Sequence, residues 1–368
     1  MTTDTHIAVI GAGIAGLSCA TALQQGGCTV RVFDKSRGPA GRMSTRRGDD
    51  WQCDHGAQYF TARDPHFRAE VARWQEAGVA GLWQPRLQVI GGAALHTLGA
   101  PVERFVGIPR MTAPASLLAG ALPLKCETTI KQLQRHADGW HLFSAEHAWL
   151  NERFDAVILA LPAPQAVPLL LHAAPELATL ADSAVMRGSW TLMLQFPAPV
   201  DLAFDAAFVN DGPLRWIARD SSKPGRSGKE SWTLQANALW SEAHLHDDAE
   251  NVAAMLLEAF AQLGGPPPQA YSTHCWRYAD SEPALDIGYA WQPDSALGLC
   301  GDWLNGGKVE GAWLSGRAIA QRLLDIFRAL EPTTETQRKT LKTNGFLCET
   351  SVPCGGFRSQ TSTWPPHR

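Results

Sequence analysis

Several features that would direct an assignment are missing from this sequence. Its eight cysteines (Cys19, Cys28, Cys53, Cys126, Cys275, Cys300, Cys348 and Cys354) form no Cys-x-x-Cys pair and no metal-ligand spacing. This excludes a zinc module or redox dithiol and fits reduced thiols in a cytoplasm. No nucleophile–base pair, triad or metal cluster stands out, which points away from chemistry needing a strong general base. The formal net charge of -4 offers no electrostatic case for nucleic acid. Residues 7–23 have the look of a signal or membrane segment, but the run carries three motif glycines, lacks a preceding basic region and is too short to span a bilayer. A cytoplasmic protein without nucleic-acid or membrane partners is expected, and its oligomeric state is left open. At 368 residues the chain has room for two domains, because single cores stop growing near ~250–300 residues.

What is present begins at the N-terminus. Ile7-Ala8-Val9-Ile10 is a short apolar run, and Gly11-Ala12-Gly13-Ile14-Ala15-Gly16 turns out of it into a helical pattern closed by Gly26-Gly27. A second strand over residues 29–33 ends on Asp34, 18 positions beyond Gly16. A bare G-x-G-x-x-G arises easily by chance. In the order strand, turn, helix, strand, acid it carries a mechanism: glycines permit the tight turn and close backbone approach, the helix N-terminus faces a pyrophosphate, and the acid bonds a ribose hydroxyl. An adenine dinucleotide is expected; which one, and whether substrate or fixed cofactor, the motif leaves open.

The loop after Asp34 sets Lys35, Arg37 and Arg42 beside that site, alternatives being a solvated loop or a second phosphate contact through Arg42. Asp64-Pro65 predicts a helix start, with Phe67, Val71 and Trp74 at helical spacing. Short strands and turns follow over 78–106, where residues 87–90 running into Gly91-Gly92 give a hairpin signal. A helix is expected over 111–122, and strands over 128–133 and 140–145. The apolar run 154–160 fits a strand buried on both faces of a parallel sheet. Residues 190–196, 214–219 and 232–236 alternate, predicting an antiparallel sheet with one covered face. A helix from about Asp247, with Val252, Leu256, Ala259, Phe260 and Leu263 on one side, would cover it. The 14 tryptophans are mostly core by expectation, with a few available as a wall for a planar substrate. Beyond 331 periodicity is lost and a disordered tail over 331–368 is expected.

The second informative stretch lies near the other end. Residues 297–300 read as a strand, Gly301-Asp302 follows it, and Lys308-Val309-Glu310-Gly311 opens a long helix with small residues on one side. One glycine loop suffices for a free nicotinamide cofactor, whereas FAD needs a grip at both ends. In that reading Asp34 takes the adenosine ribose, the glycine-rich helix the pyrophosphate, and Asp302 a ribityl hydroxyl or a water-bridged phosphate. The helix at Gly311 then directs its positive end at the flavin N1–C2=O edge.

The blocks Gly11 to Leu17, Phe33-Asp34-Lys35, Gly41-Arg42-Met43, Gly56-Ala57-Gln58-Tyr59-Phe60-Thr61, Gly301-Asp302-Trp303 and Val309 to Gly316 together resemble bacterial renalase, a branch of the flavin amine oxidase-like superfamily. The resemblance runs from about residue 6 to 328 and is strongest at the two ends. It implies an α/β fold: a discontinuous, Rossmann-like doubly wound FAD-binding domain (1–77, 107–164, 291–330) with an inserted α+β substrate domain on an antiparallel sheet (78–106, 165–290). It also implies noncovalent FAD, and oxidation of the 2- and 6-dihydro isomers of NAD(P)H to NAD(P)+ with O2 reduced to hydrogen peroxide. The matched blocks, together with Ile130 on the strand expected at 128–133, supply the cofactor-binding set. Gln58 and Tyr59 are implied to lie near the flavin. For the opposite wall, placement on alternating strands or beside the Gly-Asp turn selects Trp216, Asp220, Trp232, Gln235, Trp276 and Trp303. The sequence departs from relatives at Asp220, where they carry asparagine, and at Gln235, where they carry histidine. Both departures bear on substrate preference.

Hydride transfer to a flavin chiefly needs a planar donor aligned on the ring, worth up to ~7–11 kcal/mol. Two other classes stay open: an amine oxidase or other FAD-dependent oxidoreductase on the same frame, and a dinucleotide-binding protein without turnover. A plain NAD-dependent dehydrogenase leaves the C-terminal block unexplained.

Overall fold

The computed structural model describes residues 5–92 and 102–330, so the tail expected at 331–368 lies outside the described residues. Its contacts group Met1–Leu324 into one compact unit and Asp325–Arg368 into another. Only residues 325–330 of the second unit are described, as the last turns of a helix.

Apolar runs form the first sheet. His6–Ile10 lies at its centre, flanked by Thr29–Phe33 and then Leu124–Lys125 on one side. On the other side come Ala156–Leu159, Leu297–Leu299 and an antiparallel edge, Ala290–Gln292. The first three residues of the apolar run, Ile7, Ala8 and Val9, are wholly buried, as are Val157, Ile158 and Leu159, which suits a sheet packed on both faces. The chain leaves His6–Ile10 toward Thr29–Phe33 on one side, while Ala156–Leu159 arrives on the other. The glycine-rich turn therefore opens at the point where strand order reverses, the place where doubly wound sheets bind ligands.

The apolar run at 154–160 is divided. Phe154 ends Ala148–Phe154, the third strand of a meander with Ile130–His136 and Gly139–Ser144, and only Ala156–Leu159 enters the parallel sheet. The expected 128–133 and 140–145 strands are the first two of that meander. The third is too polar in sequence (AWLNERF) to announce itself.

The antiparallel sheet has the order Ala270–Ser281, Met186–Phe196, Glu230–Ala236, Leu214–Arg219, Ala206–Val209, Leu87–Ile90. One expectation is extended and one corrected here. Leu87–Ile90 runs parallel to Ala206–Val209, with Leu87 opposite Ala206 and Ile90 opposite Val209; the residues that would return from it as a hairpin, 93–101, lie outside the described residues. The sheet also has both faces covered rather than one, since Glu230 through Leu234 are all buried. One face meets the helix Ala249–Gln262 through Val252, Leu256 and Phe260, with Asp248 accepting from the Glu250 amide as its cap. The other face meets the segment around Gln52–Asp54. There the polar half of the alternation finds a backbone instead of water: Ser231 donates to Gln52 O (3.0 Å), Thr233 to Asp54 O (3.0 Å) and Gln235 to Gly56 O (2.7 Å). The two-residue step of one strand is thus matched to the two-residue step of another segment.

The last helix, Lys308–Leu330, crosses the first, Ile14–Gln25, at small residues. A Cβ on Gly316 would stand 2.1 Å from Ala15 O, and Ser18 Oγ donates to Trp313 O (2.8 Å). Among the described residues no helix is long and apolar enough to cross a membrane.

Candidate active site

The three motif glycines do different work. A Cβ on Gly11 would meet Ala160 O at 2.4 Å, and one on Gly16 would meet Gly11 O at 2.0 Å, so both are required for backbones to touch. Gly11 also has φ +110°, a conformation natural to glycine. At Gly13 nothing lies within 4 Å: this is open space in front of a helix N-terminus. That terminus has no side-chain cap and no acidic residue in its first turn. Its free N–H groups and positive dipole end suit a pyrophosphate, and the open position at Gly13 suits its close approach. Gly41, with φ +53°, would set a Cβ 3.3 Å from Gly13 Cα, so the second loop closes over the first. The residues present fit a dinucleotide. Asp34 stands at the end of Thr29–Phe33 with Oδ2 accepting from Ala12 N (2.6 Å) and Oδ1 from Ser36 N (2.7 Å), which ties the acid to the glycine turn.

The two ends of the chain meet at an ion pair. Arg42 donates through both terminal nitrogens to Asp302 (2.9 and 2.5 Å) and once to Ala279 O (3.1 Å). Asp302 is nearly buried, and its backbone oxygen accepts from Asn305 N and Gly307 N (2.9 Å each). Gly301 N donates to Ser315 Oγ (3.0 Å), locking the Gly-Asp turn to the last helix. Glu310, expected in the cofactor set, accepts from the Arg63 (2.6 Å) and Asp64 (2.7 Å) amides; its carboxylate anchors the start of Pro65–Glu76. Lys35 is exposed, Met43 buried, and Ile130 belongs to the core beneath the parallel sheet.

Against the 52–58 segment lies a buried ionic cluster that the sequence reading did not assemble. Lys223 Nζ lies 2.7 Å from Asp220 and 3.1 Å from Asp54, and Arg226 pairs with Asp54 and stands 3.5 Å from Asp220. All four side chains are at most 2% exposed. Two acids and two bases balance, which is what permits charge at such depth. Burial alone would raise the Asp54 pKa, but Lys223 and Arg226 outweigh it and hold that carboxyl below the usual carboxylate range. Asp220 is pushed the other way by burial and by the neighbouring Asp54 charge. Lys223 also donates to Gln58 Oε1 (3.3 Å), while Gln58 Nε2 donates to Asp54 O (2.6 Å) and Gly56 O (3.2 Å), so the cluster sets the orientation of the Gln58 amide.

Beside Gly56 sits an aromatic group. His55 stacks on Trp276 at 5.2 Å and meets His274 edge-on at 4.9 Å, and Trp276 Nε1 donates to His55 O (2.8 Å). Burial, with His274 and Arg46 adding to it, lowers the His55 pKa to about 4. A Cβ on Gly56 would meet Arg42 O at 2.0 Å, so this loop lies directly against the Arg42 turn. On its far side Tyr59 packs on Trp216 at 5.4 Å.

The structure therefore brings Gln58, Tyr59, Trp216, Gln235 and Trp276 around residues 54–59. It corrects three other wall assignments. Asp220 is wholly buried in the ionic cluster, Trp232 lies in the core against Phe204 and Phe260 with Nε1 on Glu230, and Trp303 is core beneath the parallel sheet with Nε1 on Leu161 O (3.0 Å). The residues missed are Asp54, His55, Lys223 and Arg226. Lys223 and Arg226 lie in Asp220-Ser221-Ser222-Lys223-Pro224-Gly225-Arg226, whose composition is that of a solvated turn.

Comparison with known proteins agrees with this geometry. Residues 9–74 match the model of an NAD(P)-binding Rossmann-like domain, the stretch holding the glycine turn and Asp34. A bifunctional protein of tRNA 5-methylaminomethyl-2-thiouridine biosynthesis from Magnetococcus marinus is 30% identical over 208 residues; the match covers 45% of this chain and spans 30% of that relative's length. Among solved structures, a putative protoporphyrinogen oxidase from Exiguobacterium sp. shares the fold with TM-score 0.70 at 12% identity, covering 88% of this chain and 99% of that one. Cyclohexylamine oxidase from Brevibacterium oxydans does so with TM-score 0.70 at 12% identity, covering 89% and 100%. Residues 106–324, more than half of the chain, match the model of flavin containing amine oxidoreductases, and the protein belongs to that family.

Proposed function

We propose that this protein is an oxidase with noncovalently bound FAD that takes hydride from the 2- and 6-dihydro isomers of NAD(P)H, releasing NAD(P)+, while O2 accepts the two electrons and becomes hydrogen peroxide. Bound FAD would supply the two-electron acceptor. The uncapped helix behind Gly13 and the Asp34 carboxylate would hold its adenosine diphosphate half, and Asp302 with the start of the last helix its ribityl and ring half. Cys53, next to Asp54, is buried, and burial with the Asp220 charge raises its pKa; a neutral thiol there is a poor nucleophile for attachment, in keeping with a noncovalent cofactor.

One observation carries the substrate reading: the carboxylates and side-chain amides around residues 54–59 are already spent. Asp54 and Asp220 are held by Lys223 and Arg226, and Gln58 and Gln235 donate to backbone carbonyls. What stands beside them is aromatic, Tyr59 on Trp216 and His55 on Trp276. Such a wall aligns a planar donor and offers no free carboxylate to deprotonate one, which suits direct hydride transfer. The family match and the likeness to cyclohexylamine oxidase favour a second reading, a flavin amine oxidase. Anaerobic mixing separates them. The purified protein is expected to show a flavin spectrum that 6-dihydro-NAD bleaches within the mixing experiment, and air should restore it with one hydrogen peroxide per donor. Bleaching by amines alone would replace the first reading by the second. A colourless protein unable to take up added FAD would overturn both.

A further inference from the structure

The two-stranded ribbon Ala80–Trp83 with Arg104–Gly107 lies beside the aromatic wall, and its register sets Arg104 opposite Trp83. Paired residues of antiparallel strands share a face. The surroundings agree: Trp83 lies 6.5 Å from Trp216, Trp216 packs on Tyr59, and the Arg104 guanidinium stands 5.3 Å over the Tyr59 ring. Arg104 is half-buried, yet its charge is unclaimed. One Nη donates to Val102 O (3.1 Å), and Nε is buried without a partner. No carboxylate pairs with it among the described residues; the adjacent Glu103 is taken by Arg68 at 3.1 Å. Buried donors are nearly always satisfied, so an idle one marks a place for a further acceptor. The Tyr59 ring holds the guanidinium in place, and a guanidinium with donors to spare is the group that grips an oxyanion in two-point fashion.

We propose that Arg104, seated on Tyr59, is the anion-recognition residue of the substrate wall, and that it selects a donor carrying a phosphate over one carrying an ammonium group. The proposal rests on the dihydronicotinamide reading and deepens it. A dinucleotide brings its own pyrophosphate, whereas an alkylamine in its protonated form meets an uncompensated positive charge.

The test uses FAD-loaded protein without oxygen, following flavin bleaching by 6-dihydro-NAD and by the phosphate-free 6-dihydronicotinamide riboside. Wild type should half-saturate at a dinucleotide concentration at least about tenfold below that of the riboside. In Arg104→Met the dinucleotide value should rise about 10- to 100-fold, the loss of a charged hydrogen bond. The riboside value and both limiting rates should stay within about twofold. Arg104→Lys should recover part of the loss, and it keeps the comparison readable if the methionine variant folds poorly. Equal effects of Arg104→Met on both donors, or no effect on either, would overturn the proposal while leaving the proposed function standing. If no dihydronicotinamide bleaches the wild type, the proposed function fails separately. The same comparison then runs between an amino acid and its decarboxylated amine: a carboxylate preference lost in Arg104→Met retains anion recognition, and its absence ends it.

Discussion

Around the first helix the molecule is joined by side chains that are missing: Gly11, Gly16 and Gly316 let backbone oxygens approach where any Cβ would collide. Around residues 52–59 it is joined by side chains that reach, with Ser231, Thr233 and Gln235 bonding successive alternate carbonyls and four charges closing on one another. Backbone contact admits one residue type at each position. A side-chain network admits many, provided that each member has its partner. The region around the first helix should therefore fail abruptly when a single atom is added, and the region around residues 52–59 when a single partner is withdrawn.

Withdrawing a partner gives the largest expected effect. Lys223→Met leaves Asp54 and Asp220 sharing Arg226 alone, and the fold should lose about 3–5 kcal/mol in urea unfolding. Adding Asp220→Asn to it should return most of that loss; if the double variant is no more stable than the single one, the charges are not balanced as a unit. Adding an atom comes next. Gly16→Ala forces a Cβ against Gly11 O and should cost about 3 kcal/mol together with the flavin; a stable yellow variant would refute the close approach.

The third effect is a pH dependence. His55 takes a proton near pH 6.5 when unfolded but only near pH 4 when folded. Across that window the unfolded chain binds more protons, so stability falls as pH drops from 6.5 to 4 and is level below. The ring's remaining solvent contact keeps the loss to about 2 kcal/mol. His274, lowered in the same direction by burial and Arg46, adds to it. His55→Phe, which keeps the stacking on Trp276, should flatten the curve measured by thermal unfolding; an unchanged slope would remove His55 from the account. The smallest stability effect belongs to Gly13→Ala, whose Cβ meets nothing and should change the unfolding midpoint little. It should still empty the protein of flavin if the open space is the proposed place of the pyrophosphate. A variant that keeps its flavin would shift that role elsewhere in the loop.

This contrast also accounts for what the sequence made legible. Ile14–Gln25, Thr29–Phe33 and Leu297–Leu299 stand where apolar runs and glycines put them, since local backbone demands leave a local trace. Pro65–Glu76 was equally plain from Asp64-Pro65, and Asp64 does accept from the His66 and Phe67 amides. The ionic cluster left no such trace: Asp54 and Lys223 are 169 positions apart, and each alone reads as a solvated polar residue. The alternation at 232–236 was visible, yet whether its polar side faces water or another backbone depends on a segment 179 positions away. Tryptophan was ambiguous for a similar reason. Trp216 and Trp232 both lie on strands of the same sheet, but one points to Tyr59 and the other into the core with Phe260.

The pairing of Arg42 with Asp302 spans 260 positions, and so sets a clock on biogenesis. At synthesis rates of ~5–20 residues per second, roughly 13–52 seconds separate the emergence of one partner from that of the other. Through that interval the loop at Arg42 lacks the carboxylate it closes upon, and the first helix lacks Gly316, on which it packs. Cofactor capture that needs both ends would be deferred until nearly the whole folded unit has left the ribosome. A cell short of flavin would accumulate complete chains awaiting ligand rather than half-built ones, and those chains are the ones that ligand binding can rescue.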